Sequence, residues 1–318
     1  MKYYMGIDLG GTNIAAGIVD EEYKIVRKDS VSTRTDLGPD KLLDDMGGLC
    51  KGLIEAEGLS VDDFISAGIA TPGTANHDTG EVVYANNLPF LHYPLADELK
   101  KRVPFKAVYI ENDANAAALG EALAGAAKGA SSSVMITLGT GVGGGYILDG
   151  KVVSGFNYAG AELGHTVIVY GGRQCSCGRK GCWEAYSSAT GLINMTREKM
   201  NACPDSKMWD MCCGSLDKVT GRTAFEACRA GDKAGEEVVN DYINYLACGI
   251  TNMINVFSPE VLSIGGGISN EKDYLLERLL PAIAAEQYAK NSENITKVKI
   301  AELRNDAGIV GAAVLGKR

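Results

Sequence analysis

The strongest constraint on the fold is a pattern that occurs twice. GIDLGGTNIAAGIVDEE, near the start, lies over MITLGTGVGGGYILDGK when shifted by 129 positions. The shift aligns Leu9 with Leu138, Gly10 with Gly139, Ile18 with Ile147 and Asp20 with Asp149. Such identities are few, but each copy also reads as strand, Gly-Thr-rich turn, strand, at the head of one half of the chain. Two such halves facing one another make a cleft lined by two glycine turns. Successive backbone N–H groups in such turns form concavities suited to the phosphates of a nucleotide. A third turn, Gly265-Gly266-Gly267, follows the apolar run 261–264 and precedes a helix. No glycine loop here fits G-x-x-x-x-G-K-[ST], which excludes a Walker-type site, and GTGVGGG opens no helix, as a dinucleotide fingerprint would require.

Between the two copies, strands and helices alternate, which places the chain in the α/β class. Residues 3–9 and 14–19 read as a hairpin around DLGGTN, with a third strand at 24–32. Helical periodicity covers 41–57, 95–101 and 113–127, and apolar strands cover 64–70, 107–110, 134–138 and 145–148. With 318 residues, 46% of them apolar, the chain is long enough for two packed domains. The uncharged stretch 242–259 approaches the length of a membrane span, but Asn244, Thr251, Asn252 and Asn255 make it a buried helix. Met1-Lys2-Tyr3 leads straight into a strand, so no signal peptide is expected and the reading is a soluble, cytoplasmic protein. A net charge of −9 argues against nucleic acid as a partner.

One local cluster stands apart. His165, Cys175, Cys177 and Cys182 offer an imidazole and three thiolates within AELGHTVIVYGGRQCSCGRKGCWE. That is a ligand set for tetrahedral zinc of the closed Cys₃His kind found in structural sites. The chain has only three histidines, so the set is read as a metal site in preference to scattered buried thiols. Glu162 and Glu184 flank it, and a metal tying these segments together would fix both carboxylates in space. Cys50, Cys203, Cys212, Cys213, Cys228 and Cys248 have no partner at ligand spacing and read as buried or free thiols. His77 and His92 read as loop histidines.

DLGGTN, ENDANAAALGE, LGTGVGGG, ELGH followed by CSCGRKGCWE, and IGGGI together resemble the ROK family of repressors, open reading frames and kinases. The resemblance covers nearly the whole chain and is greatest to the family's bacterial glucokinases. It implies a two-domain actin-like (ribonuclease H-like) ATPase fold with internal duplication and an active-site cleft between domains. The expected small α/β domain is 1–115 plus 303–318, since the family's last helix returns to the first domain, and the large one is 116–302. The implied activity is phosphorylation of glucose at O6 with ATP and Mg²⁺.

Residue by residue, the resemblance implies Asp113 as the general base. The residue lies where a strand runs into a helix, whose dipole would favour the carboxylate form. Gly73 (through its backbone), Asn87, Asn112, Asp113, Glu162, His165 and Glu184 match the sugar contacts. Asn87 departs most from the pattern, because Phe90-Leu91 stands where family members often have Gly-Trp. Asp8 matches the magnesium position, and Gly10, Gly11, Thr12, Thr137, Gly139, Thr140 and Gly141 would meet the phosphates. Gly265, Gly266 and Gly267 would flank the adenosine. Structural Zn²⁺ on His165, Cys175, Cys177 and Cys182 would organise the sugar pocket without activating water. A homodimer is the family expectation. A kinase for another hexose, such as N-acetylmannosamine or fructose, uses overlapping pocket residues and stays open. A sugar-sensing repressor would carry a helix-turn-helix domain ahead of DLGGTN, which here begins at Asp8.

Overall fold

The computed structural model describes residues 2–317. In chain order its strands and α-helices are β1 (Tyr3–Leu9), β2 (Asn13–Val19), β3 (Ile25–Ser32), α1 (Gly38–Ala56), β4 (Phe64–Thr71), β5 (Thr74–Asn76), β6 (Glu81–Tyr84), β7 (Leu91–Tyr93), α2 (Leu95–Arg102), β8 (Val108–Asn112), α3 (Asp113–Ala124), β9 (Ser132–Leu138), β10 (Val142–Leu148) and β11 (Lys151–Val152). There follow α4 (Glu184–Ser187), α5 (Ala189–Ala202), α6 (Met208–Met211), α7 (Thr223–Arg229), α8 (Lys233–Phe257), β12 (Val261–Gly265), α9 (Asp273–Glu286), β13 (Lys297–Ile300) and α10 (Ala307–Ala313).

The repeat seen in the residues extends to the sheets. One five-stranded sheet runs β3-β2-β1-β4-β8 and another runs β11-β10-β9-β12-β13, so each copy's hairpin takes the same place in its own sheet. In the first, β1 pairs antiparallel with β2 and parallel with β4, and β4 pairs parallel with β8. In the second, β10 and β11 are antiparallel and β12 and β13 parallel. Strand β10 starts at Val142, three residues before the expected 145, because the turn closes within three residues: Gly139 N–H donates to Gly141 O at 3.0 Å.

Backbone contacts divide the chain into two units, Met1–Met135, Gly145–Ala161 and Glu302–Arg318 in one, Ile136–Gly144 and Glu162–Ala301 in the other. That differs from the expected division at 115 and 116. Helix α3 packs on α10, so α3 stays with the first unit. Glu121 of α3, fully buried, accepts N–H bonds from Ala126 (2.7 Å), Glu302 (3.1 Å) and Leu303 (2.7 Å), tying the end of the chain to this helix.

The first unit's core joins Ile7 and Leu9 of β1 and Ile14 and Ile18 of β2 to Leu42, Leu43, Met46 and Leu53 of α1. Helix α1 buries these at three- and four-residue spacing, each fully buried leucine contributing about 2 kcal/mol. Its start is set by Pro39 in the first turn, and Gly58 at φ +64° lies just past its end. The small antiparallel sheet β5-β6-β7 was not expected, and it corrects the reading of His92, which sits in β7 with Nδ1 2.6 Å from Glu81 Oε1. Phe90, at the departure from the family pattern, is buried and stacks on Tyr93.

In the second unit, α8 accounts for the apolar stretch at 242–259. Asp232 caps it by accepting from Gly235 N–H at 2.7 Å, and Tyr242, Leu246, Ile250 and Met253 line its buried face. Among the described residues no helix is long and apolar enough to cross a membrane.

Candidate active site

In the first unit the site residues gather at the carboxyl ends of β1, β4 and β8. The turn after β1 is closed by Gly10 N–H to Asn13 O (2.9 Å), and Thr33 braces it by donating its hydroxyl to Gly10 O (2.7 Å) and its N–H to Thr12 O (2.9 Å). Gly11 and Thr12 remain exposed, with backbone N–H groups available to an anion. Asn87 comes to the same turn, its Cβ 3.6 Å from where a Cβ on Gly11 would stand. Thr33 lies beyond the motif, and nothing in its local sequence marks it.

Strand β8 hands the chain to α3 at Asn112, whose side chain accepts the N–H groups of Ala114 (3.0 Å) and Asn115 (3.2 Å). Asn112 is therefore the cap, and Asp113 is the first helical residue. The Asn112 amide also donates to Gly73 O at 3.1 Å, joining two expected sugar contacts. Asp113 accepts its own helix's Ala114 N–H at 2.9 Å. That bond and the Asn112 amide favour the charged form, yet burial outweighs them and raises the Asp113 pKa above the ordinary carboxylate value. The expectation that the helix end would hold this acid low is corrected here: desolvation is the larger effect.

Asp8, at the end of β1, is raised from 3.8 to about 6 by burial first and by the Asp113 charge second. Two carboxylates raised by burial, one of them raised further by the charge of the other, make a natural seat for a divalent cation. Helix α10 reaches this spot through Gly308, where a Cβ would lie 2.5 Å from Asp8 Oδ2, so only glycine allows the approach.

In the second unit the ligand atoms of His165, Cys175, Cys177 and Cys182 all lie within 4.8 Å of one another. Cys175 Sγ is 3.7 Å from His165 Nδ1, and Cys177 Sγ is 3.7 Å from Cys182 Sγ. A tetrahedron with Zn–S near 2.3 Å and Zn–N near 2.0 Å separates its donors by roughly 3.5–3.8 Å, so the set fits that ion. Burial and then the neighbouring thiols push Cys182 up to about 12, a crowding that a bound cation would relieve by favouring the thiolates. Nδ1 is the ring nitrogen facing the thiols, which leaves Nε2 for other work.

Glu184, the first residue of α4, joins this cluster to the second glycine turn. Its Oε2 accepts Val142 N–H at 3.0 Å, and its Oε1 accepts the Ser176 hydroxyl at 3.1 Å. Gly141 makes room, since a Cβ there would fall 2.3 Å from Glu184 Oε2. The turn is fixed further by Thr190, whose hydroxyl donates to Thr140 O (2.8 Å), and by Ala189 N–H to Gly139 O (2.8 Å). Thr137 lies on β9, five residues before β10 begins. Gly266 and Gly267 are exposed beyond β12, and Glu162 is exposed just ahead of His165. Ser176 escaped the sequence reading because the residue between two ligand cysteines has no signal of its own.

The ROK family pattern matches residues 4–318. The chain belongs to the ROK family. A glucokinase from Halalkalibacterium halodurans is 34% identical over 324 aligned positions, covering 100% of this chain and 96% of that one. A glucokinase from Thermotoga maritima is 35% identical, covering 98% of this chain and 96% of that one. The crystal structure of a ROK family glucokinase from Streptomyces griseus in complex with glucose and AMPPNP superposes with a TM-score of 0.83 at 33% identity, covering 98% of both chains. The ROK kinases share the two-domain actin-like ATPase fold, and the duplicated five-stranded sheets here are the sheets of that fold.

Proposed function

We propose that this ROK protein transfers the γ-phosphoryl group of ATP to O6 of glucose. The observation that carries the proposal is Asp113, held at the helix start that Asn112 caps, with a pKa raised by burial and close enough to Asp8 to raise that residue's pKa in turn. A carboxylate of raised pKa is a stronger base than a free one.

In the step, the O6 proton passes to the Asp113 carboxylate and an O6 lone pair attacks the γ-phosphorus. The bond to the bridging oxygen then breaks and ADP leaves. Positioning and charge stabilisation account for most of the acceleration in phosphoryl transfer. Asn112, the Gly73 carbonyl, Asn87, Glu162, His165 Nε2 and Glu184 would orient the sugar. The N–H groups of Gly10, Gly11, Thr12, Gly139, Thr140 and Gly141, with Thr137, would receive the phosphates, and Gly265, Gly266 and Gly267 the adenosine. Mg²⁺ bound with ATP would supply neutralisation of phosphate charge, with Asp8 holding it. Zn²⁺ held by His165, Cys175, Cys177 and Cys182 would orient the imidazole and Glu184. The cytoplasm, where ATP and free hexose meet, is the compartment this activity calls for, and a homodimer is the assembly that goes with it.

The test is ATP-dependent phosphorylation of glucose, mannose, fructose, N-acetylglucosamine and N-acetylmannosamine by wild type and by Asp113→Ala. Glucose is expected to be the best substrate, and Asp113→Ala is expected to lower kcat by at least about 10³-fold. Turnover confined to an N-acetyl sugar would overturn the substrate. A variant retaining more than a tenth of wild-type kcat would overturn the base.

A further inference from the structure

One fully buried carboxylate lies directly behind the proposed base and has no part in the step above. Glu111, on β8, is 0% exposed. Its Oε1 accepts Asn112 N–H at 3.0 Å and the Asn115 side-chain amide at 3.2 Å, so it grips both sides of the junction that presents Asp113. Its Oε2 is 3.5 Å from Nδ1 of His77. That nitrogen is buried and has no hydrogen-bond partner among the described residues, and Glu111 is the acceptor it faces. His77 is itself held from outside. Tyr158 meets its ring edge-on with centroids 4.8 Å apart, and donates its hydroxyl to Asp78 Oδ2 at 2.6 Å. Asp78 Oδ1 in turn lies 3.7 Å from His77 Nε2. The histidine thus stands between a buried and an exposed carboxylate, clamped by a tyrosine at φ +62°.

We propose that His77 is a positioning residue for the kinase reaction, acting through Glu111 on Asn112 and Asp113. A buried carboxylate is tolerated when its oxygens are matched by donors and loses its fixed geometry when one is left unmatched. His77 sets Nδ1 3.5 Å from Oε2, within reach to donate to it, while Oε1 holds the Asn112 N–H and the Asn115 amide. A shift of about 1 Å in a catalytic group can cost roughly 10²-fold, so a donor one residue removed from the base has leverage on kcat. The proposal rests on the role of Asp113 given above.

The test uses the full-length, metal-replete protein with His77→Ala, His77→Asn and His77→Gln. An asparagine amide nitrogen falls near the place of Nδ1, whereas that of glutamine falls near Nε2, toward Asp78. Expected are a fall in kcat of about tenfold for His77→Ala, ATP KM unchanged, recovery to within about threefold by His77→Asn, and no recovery by His77→Gln. Amide hydrogen exchange across 109–116, read by mass spectrometry without substrate, should quicken in His77→Ala and His77→Gln and return to the wild-type rate in His77→Asn. Wild-type kcat in a folded His77→Ala protein overturns the proposal, as does equal behaviour of His77→Asn and His77→Gln. The Asn and Gln pair decides the matter even where the alanine variant does not fold. If the wild type phosphorylates no sugar, the kinase reading fails, and the exchange pattern alone decides whether His77 positions the junction.

Discussion

The two units hold their candidate site residues on opposite plans. In the first unit, burial disfavours the charges of Asp8 and Asp113, and the Asp113 charge raises Asp8 further, a state that a cation would relieve. In the second unit, Glu184 is held at both oxygens by Val142 N–H and Ser176, beside a cluster that fits zinc. One half waits for its ligands to balance it, and the other is shaped before they arrive. The difference shows where each kind of perturbation should act: charge on the first, cross-linking on the second.

The sharpest way to break this contrast is to remove the metal from the second half. Stripping zinc with a strong chelator, or Cys182→Ala, should raise the glucose KM by about 10–100-fold and lower thermal stability, as loss of metal and its outer contacts commonly does. Metal content, glucose titration and a melting curve check this together. A demetallated protein that still binds glucose normally would mean that Glu184 and His165 need no such organiser.

The first half should respond in the opposite direction. Between pH 3.8 and about 6 the folded protein holds more protons on Asp8 than the unfolded chain does, so its stability falls as pH rises through that window. Above it the whole penalty is present, of order 3 kcal/mol without a cation. Asp8→Asn should therefore raise the melting temperature of the cation-free protein at pH 7.5 by several degrees and leave it nearly unchanged at pH 4. The same variant should lose the stabilisation that Mg²⁺ with ATP gives the wild type. A melting temperature lowered at pH 7.5 would refute the charge argument.

The smallest expected effect lies at the link between turn and carboxylate. Gly141→Ala places a methyl group against Glu184 Oε2, displacing the side chain from Val142 N–H. Glucose KM should rise about five- to tenfold, consistent with roughly 1 kcal/mol of lost hydrogen bonding, with the melting temperature within a few degrees of wild type. An unchanged KM would show that the sugar reaches Glu184 in another posture.

What the residues disclosed beforehand follows from distance along the chain. The histidine and three cysteines that fit zinc lie within eighteen positions and the repeat in two short motifs, so spacing alone exposes them. The β8 to α3 junction was visible for the same reason. The raised pKa of Asp113 was not, because the dipole at its helix end is local while the burial that outweighs it comes from the tertiary fold. Glu121 meets residues 302 and 303, and Glu111 meets His77, across separations that no pattern announces. Strands β5 to β7, only three or four residues each, were missed because such runs show no reliable alternation.

The docking of α10 has a consequence for how the molecule comes into being. Gly308 abuts Asp8, and Glu121 binds the backbone just ahead of α10, so the place of the Asp8 carboxylate is completed by residues that follow the second unit in the chain. On a ribosome these emerge only after the second unit has had time to settle. A polypeptide that ends prematurely, before residue 302, would contain every residue assigned to catalysis and yet lack the helix on which the first carboxylate rests.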